Sequence, residues 1–178
     1  MGVRASVFRR TAVAVGVIAL LAACETTGTS AVGESHPAPP RPIAVQVEPC
    51  IDRTETPQRE LGAQATRAFQ DKLQASVEFA VASDARYRLA CEVIGFVEGS
   101  AVKRWVMPGW GATVGMVSAM LSDNATGEVL IIARANATVA GGGLYTIGAD
   151  THIVPDAVDH VVGQLRRWAV GGSDADRN

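Results

Sequence analysis

The chain has 178 residues, of which 48% are hydrophobic and 19% charged, with a formal net charge of −2. That length suits one domain around a single core. Acids outnumber bases, which argues against nucleic acid as a partner, since such binders carry a clustered cationic surface.

Residues 1–23 have the three parts of a secretory signal. Arg4, Arg9 and Arg10 form a basic start, and an apolar run over 11–22 follows that is too short for a permanent membrane span. Arg9-Arg10 has weak context for a twin-arginine signal, so the general secretory route is the expectation. The run ends in Leu21-Ala22-Ala23-Cys24, the form of a bacterial lipobox. The reading makes Cys24 the mature N-terminus and its lipidation site, with the bilayer as the chain's first partner. Multiple acyl chains on one cysteine give stable attachment. The residue after it is Glu25 rather than Asp, which points to the outer membrane, facing the periplasm. The mature chain keeps 13 basic against 18 acidic residues, a net charge near −5.

Residues 24–42 read as a tether rich in Thr, Ser, Gly and Pro, ending in Pro37-Ala38-Pro39-Pro40-Arg41-Pro42. Fully extended, it reaches roughly 60 Å. A folded body is expected over 43–170, and a disordered tail over 171–178.

Within the body, Ile43, Val45 and Val47 alternate with polar residues and predict a strand. Thr56-Pro57 has the form of a helix cap and first turn. Leu61, Ala65, Phe69, Leu73 and Val77 then make an apolar helical stripe. Phe79-Ala80-Val81 suggests a short strand. Tyr87, Leu89, Cys91, Val93 and Val97 share one face of a longer one. Residues 105–121 carry no charge but include Pro108, Gly109, Gly111 and Gly115. A transmembrane helix is the lesser reading of that stretch; a Gly-rich turn and a strand over 112–121 is the better one. The turn at 123–127 and a strand over 129–139 complete a hairpin. A second helix is expected over 155–170, with Asp156 and Asp159 at its start and Arg166 and Arg167 at its end, as the helix dipole favours.

Once Cys24 is lipidated, Cys50 and Cys91 remain. They either form a disulfide or stand as separate thiols; strand parity puts them on opposite faces, which counts against the bridge. His152, Asp156 and His160 would share a helix face if the second helix began early, which Pro155 opposes. Their spacing matches no zinc signature, so no metal or cofactor is expected. Gly141-Gly142-Gly143 lacks the Lys and Ser/Thr of a phosphate loop, and no nucleophile motif occurs. In the strand over 112–121 neither face is properly polar. An antiparallel sheet with helices on one side shows its other face to water, so Trp105, Trp110, Val114 and Met116 form a candidate partner surface.

The segment 98–112, with its acidic-Gly strand end, basic pair Lys103-Arg104 and Gly-x-Gly turn, resembles the central motif of a bacterial lipoprotein family known as domain of unknown function 4410. The resemblance covers about 41–168 and implies a periplasm-facing lipoprotein without assigned activity. The element order is also similar, at fold level, to small envelope-assembly lipoproteins.

The expected architecture is α+β: a mainly antiparallel sheet of four to five strands with two helices on one face. The expected function is a non-enzymatic envelope lipoprotein that self-associates or binds an envelope protein. The alternatives are a metal-dependent hydrolase using His152 and His160, and a pore or secretion-complex subunit inserting 105–121 into lipid.

Overall fold

The computed structural model describes residues 27–55, 60–100, 103, 106, 111–139 and 149–171. The expected signal segment, Cys24, Thr56-Pro57, Trp105, Trp110, Gly141-Gly142-Gly143 and the tail from 172 lie outside the described residues.

The elements run β1 (Thr27–Ser35), β2 (Ile43–Val47), β3 (Ile51–Asp52), α1 (Leu61–Gln74), β4 (Phe79–Val81), β5 (Tyr87–Val97), β6 (Thr113–Asp123), β7 (Val129–Val139) and α2 (Ala149–Ala169). The strands form one seven-stranded sheet in the order β1-β7-β6-β5-β2-β4, with β3 beside β5. This corrects the expected strand count of about four to five and makes the sheet mixed instead of mainly antiparallel. The β5–β6–β7 meander and the edge strand β1 are antiparallel, whereas β2 is parallel to both β4 and β5.

The parallel half arises from a β2–α1–β4 unit, in which the helix carries the chain back to the start of β2. Phe79 of β4 pairs with Ile43, and Tyr87 of β5 pairs with Val45. β4 therefore uses the first half of β2 and β5 the second. That stagger lets a short connection join two strands on opposite sides of β2.

Both helices pack on one face of the sheet, as expected. The buried stripe of α1 is Leu61, Ala65, Phe69 and Leu73. Val77 does not extend it: α1 ends at Gln74, Ala75 donates its N–H to the Asp71 carbonyl, and Val77 is 83% exposed. The helix opens at Leu61, after Glu60 at φ 51°, a left-handed conformation uncommon for a residue with a Cβ. Helix α2 supplies Ile153, Val154, Ala157, Val158, Val161, Val162, Leu165 and Trp168 to the same core, over Val117, Leu121, Ile131 and Ala133 of β6 and β7.

Helix α2 begins at Ala149, not Pro155, so the proline lies inside it. A proline there removes one backbone hydrogen bond and crowds the preceding turn. Burial of Ile153 and Val154 just before it gives the early turns a packing reason to stay helical.

The segment read as a tether is corrected too. Thr27–Ser35 forms β1 on the edge of the sheet, from Thr27 opposite Thr138 to Ser35 opposite Ile131. Gly28 permits the approach, because a Cβ there would overlap the His160 ring and meet the Asn136 carbonyl oxygen at 2.8 Å. Beyond β1, the His36 N–H donates to the Leu130 carbonyl at 2.7 Å, and the Trp168 indole N–H donates to the His36 carbonyl at 2.6 Å. Ala38 packs against the core, and the Arg41–Pro42 peptide is cis.

A disulfide joins Cys50 and Cys91, with Cα atoms 4.6 Å apart. Strand parity spoke against it, but β2 ends at Val47, so Cys50 follows in irregular chain where alternation has no hold. Cys50 donates its backbone N–H to the Thr66 hydroxyl at 2.8 Å, and that hydroxyl donates to the Gly62 carbonyl at 2.8 Å. The bridge thereby ties the first turns of α1, through β3, to the middle of β5.

At the β6–β7 turn the buried Asp123 accepts the Ala125 N–H at 2.7 Å and the Arg86 Nε–H at 2.9 Å. The Ala125 amide first, and then Arg86, hold its carboxyl below the usual carboxylate range. Glu78 is held low in the same way by the Ser76 hydroxyl, with help from Arg166, whose Nε–H lies 3.1 Å away.

Candidate functional site

The sheet face opposite the helices is the candidate site. Along β6, Thr113, Gly115, Val117, Ala119 and Leu121 are buried beneath the helices, while Val114, Met116, Ser118 and Met120 point the other way and remain partly or fully accessible. The strand alternates in burial although it hardly alternates in polarity. Among the described residues nothing lies over this second face.

A bulge in β5 sharpens the feature. The register shifts between Val93 and Gly95, so Val93 pairs with Val117 and Gly95 with Met116. The extra residue reverses the alternation. Phe96 therefore turns toward the core, and Val97, expected on the buried face, turns outward and is 53% exposed. Ile94, at the bulge, is 43% exposed beside Met116 at 36%. Gly95 has no side chain to obstruct Met116, which lies across it: a Cβ on Gly95 would overlap the methionine methyl group.

Ile94 and Met116 line a shallow open groove of about 330 Å³ with Thr29, Ala31, Arg134 and Asn136. Its far wall is β1. The Asn136 side-chain carbonyl accepts the Thr29 N–H at 3.0 Å and also the Thr29 hydroxyl, which fixes the polar side of the groove. The groove offers an apolar floor, one exposed guanidinium and edge-strand backbone.

Of the sequence-predicted surface, Val114 and Met116 lie on this face. Ile94 and Val97 were missed there, because the bulge leaves no mark in a simple alternating pattern. The groove-lining Thr29 and Ala31 were missed because they belong to a strand read as tether.

The other candidates are not assembled into a site. His152 and His160 do share helix α2 with Asp156, as an early helix start requires. His160, however, packs against Gly28 of β1, and Asp159 pairs with Lys72 at 2.7 Å. Among the described residues no three His, Cys, Asp or Glu side chains are grouped to hold a metal ion. The lesser reading of 105–121 as a membrane helix is corrected: Thr113–Asp123 is an internal strand between β5 and β7. Among the described residues no helix is long and apolar enough to cross a membrane.

No family model matches the chain, so the resemblance to domain of unknown function 4410 finds no support there. No curated protein matches either. Solved structures do. The fold is similar to that of PelC from Paraburkholderia phytofirmans, solved as a dodecamer, at 22% identity and TM-score 0.56 over 75% of this chain and 96% of that one. A single-substitution variant of the same protein, also a dodecamer, aligns at 23% identity and TM-score 0.54 over 76% and 98% of the two chains. A hypothetical protein from Chlamydia trachomatis aligns at 11% identity and TM-score 0.52 over 71% and 98%. At these identities the likeness is one of fold, and it spans nearly the whole of each of those chains.

Proposed function

We propose that the chain is a non-enzymatic, lipid-anchored assembly module of the bacterial envelope, and that copies of it associate through the open sheet face. The observation that carries the reading is that face itself: Ile94, Met116 and the groove beside β1, uncovered among the described residues. Contiguous exposed apolar surface of this kind marks interaction sites in proteins that otherwise bury it. Two further points support self-association over a foreign partner. The fold is shared with a protein solved as a dodecamer, and the face combines apolar floor, polar rim and edge strand, which one copy can offer to another.

The lipobox supports Cys24 as the anchor, and Glu25 directly after it supports the periplasm-facing side of the outer membrane as the location. The oxidised Cys50–Cys91 pair suits that compartment. Light scattering on the unacylated chain from Glu25 onward tests the reading: a mass of several chains is expected, and a strict monomer at every concentration rejects self-association.

A further inference from the structure

Four strand ends lie in one row across the sheet. Thr27 pairs with Thr138, Thr138 with Val114, and Val114 with Val97. The start of β1, the end of β7, the start of β6 and the end of β5 therefore share one end of the domain. At strand spacing the row is about 14 Å wide. The connections 98–112 and 140–148 both leave from this end.

Cys24 precedes Thr27 by three residues. Three peptide steps span at most about 11 Å. An acyl group on Cys24 thus holds this end of the sheet, and no other, next to the bilayer. We infer that the domain rests this end on the lipid surface, instead of standing off on a tether of tens of ångströms. The inference rests on the lipid-anchor reading above and adds an orientation and a contact surface to it.

The composition of the two ends agrees. Val97, at the end of β5, is 53% exposed, and in the connection that leaves this end Val106 is 65% exposed and Lys103 is exposed. Glu98 is one acid of that rim, and helix α2 starts at the same end with Asp150 in its first turn. Residues 105–121, which begin in the first connection, carry no charge. The opposite end lies about 33 Å away along β6. It carries the Arg86–Asp123 pair and the His36–Glu128 contact. Charge attraction does not hold an acidic chain to anionic lipid, so the contact is apolar and at headgroup depth, where a few exposed side chains add to the anchor.

The test uses the acylated mature chain, disulfide oxidised, in phosphatidylethanolamine–phosphatidylglycerol vesicles containing brominated lipid. A bimane label is placed at Val106→Cys, at Val97→Cys or, as the distant site, at Ala125→Cys. Flotation is scored on the same samples. The orientation predicts that all three chains float, that the labels at 106 and 97 lose most of their fluorescence, and that the label at 125 loses none. A chain that floats with 106 and 97 unquenched overturns the orientation and leaves the anchor standing. A chain that does not float overturns the anchor and the orientation with it. Having two sites at the anchored end guards against one variant failing to fold.

Discussion

At the scale of single residues, Gly62 reverses an ordinary expectation. Replacing a helical glycine by alanine normally stabilises by up to about 1 kcal/mol. Here a Cβ would meet the Cys50 carbonyl oxygen at 2.5 Å, a backbone atom pinned by the disulfide. Gly62→Ala should therefore destabilise, by about 1–3 kcal/mol, as a lower urea midpoint. Asp123 and Glu78 set the response to acid. Their carboxyls are held below the ordinary range. Each therefore contributes stability above the unfolded carboxylate pKa near 4, and that contribution is lost as pH falls through the lower folded value. Urea midpoints should drop in that window, and Asp123→Asn should flatten the drop. Gly62 and Asp123 show what a sequence hides at this scale: neither the carbonyl beside Gly62 nor the Arg86 partner of Asp123 is a near neighbour in the chain.

At the scale of elements, legibility followed how much of each element's reason for existing is local. The stripe Leu61, Ala65, Phe69 and Leu73 is periodic and was readable as α1. The hairpin of β6 and β7 was readable from two apolar runs around Asp123-Asn124-Ala125-Thr126-Gly127. The strand β1, with sequence TGTSAVGES, has no apolar pattern; its backbone pairs with β7, and that partner lies a hundred residues away. The two-residue β3 is too short to have a period. Pro155 argued for a late start of α2, and burial of Ile153 and Val154 outweighed it. The disulfide supplies the prediction at this scale. It closes a loop of 41 residues in sequence separation, and such loops contribute about 2–4 kcal/mol. Reduction, or the paired change of Cys50 and Cys91 to serine, should lower stability by about that amount. Hydrogen exchange should rise first in β3 and the opening turns of α1, which the bridge secures. An effect spread evenly over the sheet would speak against that placement.

At the scale of the whole molecule, the domain has one face committed to its helices, one face open, and one end tied to Cys24 by three residues. The class, α+β with both helices on one side, was readable from element order. The strand count and the parallel half were not, because a sheet's path depends on pairings between distant segments. The candidate site was half legible. Met116 and Val114 were visible as an apolar set in a strand that needed a polar one. Ile94, Val97 and the wall of β1 come from a bulge and an edge strand that only the folded chain reveals. With β1 starting at Thr27, the proposed anchor at Cys24 would orient the domain on the membrane as well as address it there.

The most direct test of the assembly proposal is the mass of the unacylated chain measured by light scattering alongside that of Met116→Glu. Met116 is exposed on the face away from the helices, so the substitution should leave the fold intact, which an unchanged urea midpoint checks. The proposal predicts a multimer for the native chain and a monomer for the variant. Equal masses for the two, whether both multimeric or both monomeric, would contradict the assignment of the open face as the surface through which copies meet.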